Sequence, residues 1–126
     1  MMRKLIAVFL LSVYSVAAIE LSAPEIGFDS EKYDFGKVKK GTVVTHTFIV
    51  MNNGDQPLII SKVVPSCGCT VASFTKEPIK PGGRGEITVK FNSKGRPIGQ
   101  NLKTFSVFSN AKNAPHTIYI KGDLTK

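Results

Sequence analysis

The stretch Glu86–Phe91 constrains the fold more than any other. Ile87, Val89 and Phe91 alternate with Glu86, Thr88 and Lys90, the pattern of a strand with one face in a core and one in water. Similar short runs recur along the chain. Glu25–Phe28 follows Pro24, which suits an edge or a strand start. Tyr33–Val38 alternates, and Thr42–Asn52 puts Val44, Phe48, Val50 and, by parity, His46 on one face. Leu58–Val64 presents Leu58 and Ile60 together and stops at Pro65. Thr70–Phe74 can resume extended structure. Leu102–Ser109 offers Phe105 and Val107 to a core, and Thr117–Lys121 offers Ile118 and Ile120.

Turn signals separate these runs. Lys39-Lys40-Gly41 reverses the chain, and Pro81-Gly82 fits the centre of a type II turn. Asn52-Asn53-Gly54-Asp55 has the composition of a tight hairpin, lengthened by Gln56-Pro57. The segments 92–99 and 110–115 are further polar connections. Sustained helical periodicity is absent. The pattern predicts an all-β, immunoglobulin-like β-sandwich of about seven to eight antiparallel strands in a Greek key. A small closed barrel is the alternative. The chain contains no Trp and only two Cys, so the Cys…Trp…Cys pattern of antibody domains is missing. Aliphatic and Phe packing must hold the core.

The N-terminus is of another kind. Met1-Met2-Arg3-Lys4 precedes an apolar run from Leu5 to Val16, and Val16-Ala17-Ala18 ends it with small residues. This describes a secretory signal peptide over residues 1–18, cleaved after Ala18. The run is short of the roughly 20 residues that span a bilayer. The alternative is an uncleaved anchor, the only route by which this chain would meet a membrane. Residues 19–126 then form a single domain, exported to the periplasm, the outer envelope or the medium. With no internal repeat and a length ordinary for one domain, they can bury a core without cross-links.

The net charge is +8, with small groupings at Lys37, Lys39 and Lys40 and at Lys94, Arg96 and Lys103. Such scatter describes a solvated surface. It leaves open a long-range preference for anionic glycan or lipid. Nucleic acid is not expected, because the compartment offers little and no aromatic stacking platform is visible.

Both cysteines lie in Ser66-Cys67-Gly68-Cys69-Thr70. In an exported protein they form a possible disulfide or redox pair, since residues i and i+2 of a bent chain reach the required separation. So small a ring would be strained and labile. Structural, redox and metal-binding readings stay open here. The usual redox motif has two intervening residues at a helix N-terminus, and a closed zinc site needs four ligands. Only His46 and His116 remain as nitrogen donors; His46 reads as a core-face histidine and His116 as exposed. Asp34 and Asp55 read as turn carboxylates accepting backbone N–H groups.

The ordered pieces Asp34-Phe35-Gly36, Gly41, Phe48 leading to Asn52-Asn53-Gly54, Leu58-Ile59-Ile60, Ser66–Thr70, Ile79-Lys80-Pro81-Gly82, Ser109-Asn110 and Ile120-Lys121-Gly122 resemble the domain-of-unknown-function 1573 family. These are exported immunoglobulin-like domains found largely in Bacteroidetes-type bacteria. The resemblance covers nearly all of the mature chain, and the Ser-Cys-Gly-Cys-Thr block is its most specific part. Residues 48–60 also resemble sandwich domains of the major-sperm-protein and cilia-associated type, which serve as binding modules.

No nucleophile elbow, paired acidic residues or phosphate-cradling loop is present, and no cofactor or metal site is expected. The reading is therefore a non-catalytic, exported interaction or assembly module of the cell envelope, meeting protein partners through loops or edge strands. A thiol-dependent redox or metal-handling protein using Cys67 and Cys69 is the first alternative. A binder of anionic glycan or lipid is the second.

Overall fold

The computed structural model describes residues 23–126; the signal segment expected over 1–18 lies outside them. Eight strands form in order: β1 (Ile26–Phe28), β2 (Lys32–Lys39), β3 (Val43–Asn52), β4 (Ile60–Pro65), β5 (Thr70–Phe74), β6 (Arg84–Asn92), β7 (Gly99–Ser109) and β8 (His116–Thr125). They make two four-stranded sheets, ordered β1-β3-β6-β5 and β2-β8-β7-β4. This is the sandwich that the alternation predicts, not a closed barrel.

The inward faces supply the core. Val44, Phe48 and Val50 of β3 and Ile87, Val89 and Phe91 of β6 come from the first sheet, and Phe105, Val107, Ile118, Ile120 and Leu124 from the second. Removing each such side chain from water contributes about 1.5–3 kcal/mol. The outward faces are mostly polar, with Val43, Val64, Val71 and Leu102 as exposed exceptions, and the Thr47 and Thr88 hydroxyls are hydrogen-bonded across strands at 2.9 Å.

Two features differ from the sequence reading. Pairing is antiparallel throughout except between β2 and β8, which run parallel. There the alternation of β2 slips by one residue: Tyr33 and Phe35 turn inward, then Val38 rather than Lys37. A bulge between Asp34 and Gly36 absorbs the extra residue. Gly36 takes φ 70°, and its N–H donates to Asp34 Oδ1 at 2.8 Å, as a bulge of this kind requires. Gly122 opposite has no Cβ, which leaves room for the Phe35 ring.

The second difference concerns Asn52–Pro57, which is no hairpin. It carries the chain from β3 in one sheet to β4 in the other, and Gly54 does not take a positive φ. Glycine is needed there for space: a Cβ would lie 2.6 Å from Glu25 N and 2.8 Å from Pro24 Cα. Beyond the crossing, Leu58 and Ile79 exchange two backbone hydrogen bonds of 2.8 Å. The turn at Pro81-Gly82 has the expected left-handed glycine, with φ 74° at Gly82.

Candidate functional site

The chain passes from β4, an edge of one sheet, to β5, an edge of the other, through Cys67-Gly68-Cys69. The two edges therefore open on the same side of the sandwich, and the cysteine turn bridges them at one end. Cys67 and Cys69 are joined by a disulfide, with a Cα separation of 5.2 Å.

The bond is only one of several ties on this turn. Cys67 O accepts from Thr70 N at 3.1 Å and from Thr70 Oγ1 at 2.8 Å, with Thr70 buried. Ser66 N donates to Thr104 O at 2.9 Å, and Ser66 Oγ accepts from Thr104 N at 3.1 Å. Cys69 O accepts from Asn92 N at 3.0 Å. Four of the five residues in the Ser-Cys-Gly-Cys-Thr block are thus fixed by hydrogen bonds to the chain. Replacing both cysteines by serine is accordingly expected to leave the sandwich folded. The expected loss is about 1–2 kcal/mol in a urea melt, because so short a loop removes little entropy from the unfolded chain. A loss beyond about 4 kcal/mol would show that the bond organises the fold.

Gly68 stands at the apex, exposed. Its φ lies outside the left-handed region, and the space where a Cβ would sit is empty. The local fold does not require a glycine at this position.

Beside the turn lies an open concavity of about 540 Å³ lined by Val43, Val71, Lys90, Asn92, Lys94, Arg96 and the cysteine turn. Val43 and Val71 are 55% and 62% exposed. Strand register explains the gathering: on the outer face Val43 lies opposite Asn92, and Lys90 opposite Val71. The loop after β6 then brings Lys94 and Arg96 back over the turn. Arg96 Nη1 is 3.8 Å from Cys67 Sγ, and its buried Nε has no hydrogen-bond partner. No carboxylate lines the concavity. The ion pairs found among the described residues, Lys112–Glu25 and His116–Glu31, involve none of its residues.

The sequence grouping of Lys94 with Arg96 is kept here, whereas Lys103 lies over the Phe91 ring at 5.4 Å. Lys90 joins instead. Its outward parity was readable, but its neighbours depend on how β5 and β6 pair.

The histidines lie elsewhere. His46 stacks on Tyr33 with centroids 3.8 Å apart and an interplanar angle of 7°, and meets Phe48 edge-on at 4.6 Å. Burial pushes its imidazole below the ordinary value, with the Asp29 carboxylate pulling the other way, so the ring is neutral at pH 7. His116 was expected to be exposed. It is half-buried, packed against Phe28 at 5.0 Å. Its Nε2 lies 3.1 Å from Glu31 Oε1, an ion-pair distance without hydrogen-bond alignment. Among the described residues no three His, Cys, Asp or Glu side chains come together as a metal site, and no helix is long and apolar enough to cross a membrane. A second concavity, of about 440 Å³, lies over Asp34, Gln100, Leu102, Lys121 and Asp123 and mixes both signs of charge.

The immunoglobulin-like sandwich agrees with what comparison with known proteins finds. The chain belongs to the family described as protein of unknown function DUF1573, matched over residues 26–124. No curated protein matches it. Among solved structures, it is similar to a protein of unknown function from Porphyromonas gingivalis W83, with TM-score 0.70 and 22% identity, over 80% of this chain and 47% of that one. This chain thus spans about half of that relative. It is also similar to the ASH/PapD-like domain 7 of human CEP192, with TM-score 0.59 and 12% identity, over 82% and 87% of the two chains. The YadV chaperone matches with TM-score 0.55 and 16% identity, over 79% and 51%. At these identities the likeness is one of fold.

Proposed function

We propose that this domain is a non-catalytic interaction module of the bacterial cell envelope, exported by its N-terminal segment, which receives an extended segment of a partner protein along β5. The observation that carries this reading is the state of the β5 edge. β5 pairs on one side only, with β6. Bonds from Asn92 N to Cys69 O and from Thr75 N to Glu86 O set the phase of that ladder. Val71 and Ser73 therefore point their backbone groups at β6, and Ala72 and Phe74 point theirs away. An added strand would find N–H and C=O groups at alternate residues, the ordinary basis of β-augmentation. The likeness to a PapD-like domain and to a chaperone agrees with an interaction role by analogy of fold.

Ala72→Pro tests this directly. It removes an N–H that β6 does not use, so the sandwich should tolerate it. Pull-down from an envelope extract under non-reducing conditions should recover a specific protein with the wild type and lose it with Ala72→Pro. Equal recovery by both would refute the reading. Arg96 beside Cys67 favours one competing reading, since a guanidinium stabilises a thiolate and so promotes thiol exchange. If exchange is the function, the double serine variant loses the partner; under the module reading it keeps it.

A further inference from the structure

We infer that the segment received along β5 is acidic, and that its carboxylates are read by Lys90, Lys94 and Arg96 in the concavity beside the cysteine turn. This rests on the reading of β5 as an acceptor edge and adds the chemistry of what it accepts.

Three observations point the same way. The first is charge: three cations converge on a concavity with no carboxylate in its lining, and the Nε of one of them is buried without a partner. Arg96 is in none of the ion pairs found among the described residues, so its charge is left for an incoming carboxylate to pair with. The second is position. Val71 is the outward residue of β5 and lies opposite Lys90. A strand added to β5 would run about 4.8 Å away and place every second side chain on that outer face. Carboxylates at such positions can meet the long side chains of the three cations, and an apolar neighbour comes against Val71, which is exposed.

The third is Gly68. The fold does not need it, for its φ is outside the left-handed region and nothing occupies its Cβ position. A bare backbone at the apex of the turn admits close approach of another chain. Any side chain there would stand beside the same concavity. An anionic glycan would satisfy the cations, but it would make no use of the alternate backbone groups of β5. The peptide accounts for both features.

The test is selection from a random library of short peptides on the purified domain, followed by fluorescence anisotropy on the peptides enriched. The expected result is enrichment of Asp and Glu at alternate positions. Affinity should fall about tenfold when Lys90 and Lys94 are both changed to Gln, two ion pairs being lost. A second variant, Arg96→Gln, is expected to act in the same direction. Gly68→Val is expected to abolish binding with an unchanged melting temperature. All variants are checked by thermal melting. Binding should weaken as salt is added.

Enriched peptides without acidic bias, but sensitive to Ala72→Pro, would overturn this inference and leave the acceptor edge standing. A library that yields no binder, or binders indifferent to Ala72→Pro, would overturn both. Binding of a sulfated polysaccharide with no peptide enriched would overturn both in favour of a glycan.

Discussion

Asn52→Asp is expected to destabilise the domain by about 3–5 kcal/mol, although the two side chains have almost the same shape. Asn52 is 1% exposed. Its Nδ2 donates to Gln56 O at 2.7 Å and to Ile79 O at 2.9 Å, and its Oδ1 accepts from Gly54 N at 3.0 Å. Its backbone joins the same crossing: Asn52 N donates to Gly83 O at 3.1 Å and Gly82 N donates to Asn52 O at 2.9 Å. One residue thus holds both the passage from β3 to β4 and the turn at Pro81-Gly82. An aspartate keeps the acceptor but removes both donors, setting a carboxylate against two carbonyls. Ile79 O keeps its bond from Leu58 N, so the cost is that of two lost hydrogen bonds, about 1 kcal/mol each, to which an uncompensated buried charge adds more.

Urea melts at two pH values check this. The buried carboxyl is held above its unfolded value by desolvation and by the carbonyls. The folded variant therefore binds more protons than the unfolded chain between about pH 3.9 and that raised value. Relative to wild type, the variant should regain stability as pH falls from 7.5 toward 5. A cost independent of pH would show that the lost donors, not the charge, are responsible. A cost below 1 kcal/mol would remove Asn52 from the role assigned to it.

Phe48→Ala is expected to cost about 3–5 kcal/mol, enough to lower the midpoint of thermal unfolding by roughly 15 °C or more in a domain of this size. Phe48 is wholly buried at the middle of β3, opposite Ile87 of β6, with the edge of His46 against it. Truncation leaves a cavity between two sheets whose backbones are tied by ladders, so neighbouring groups can close it only in part. Val43→Ala, on the outward face of the same strand, should change stability by no more than about 0.5 kcal/mol. Equal effects at the two positions would contradict the assignment of faces.

The contrast between these two positions was legible in the chain itself. Alternation along β3, β6, β7 and β8 assigns Phe48, Ile87, Val89, Phe91, Phe105, Val107, Ile118 and Ile120 to one side, and all are buried. Side-chain direction in a strand follows from local pleating, so no knowledge of the partner strands is needed. Pro81-Gly82 was legible for the same reason: the backbone demand and the residue that meets it sit together.

Other features needed the assembled sandwich. Asn52-Asn53-Gly54 carries hairpin residues, yet its chain leaves the sheet, because Leu58 finds its backbone partner in Ile79 and Asn52 binds carbonyls at both 56 and 79. The parallel pairing of β2 with β8 joins residues far apart in sequence, and its bulge makes sense only with Gly122 opposite Gly36. The cysteine turn marks the limit most clearly. The sequence alone determined that Cys67 and Cys69 could reach each other, because their separation is a matter of a few backbone dihedrals. The tertiary structure alone decided that their turn bridges two open edges and lies beside Lys90, Lys94 and Arg96. That company depends on strand order and register, which arise from long-range pairing and leave no mark within any single strand.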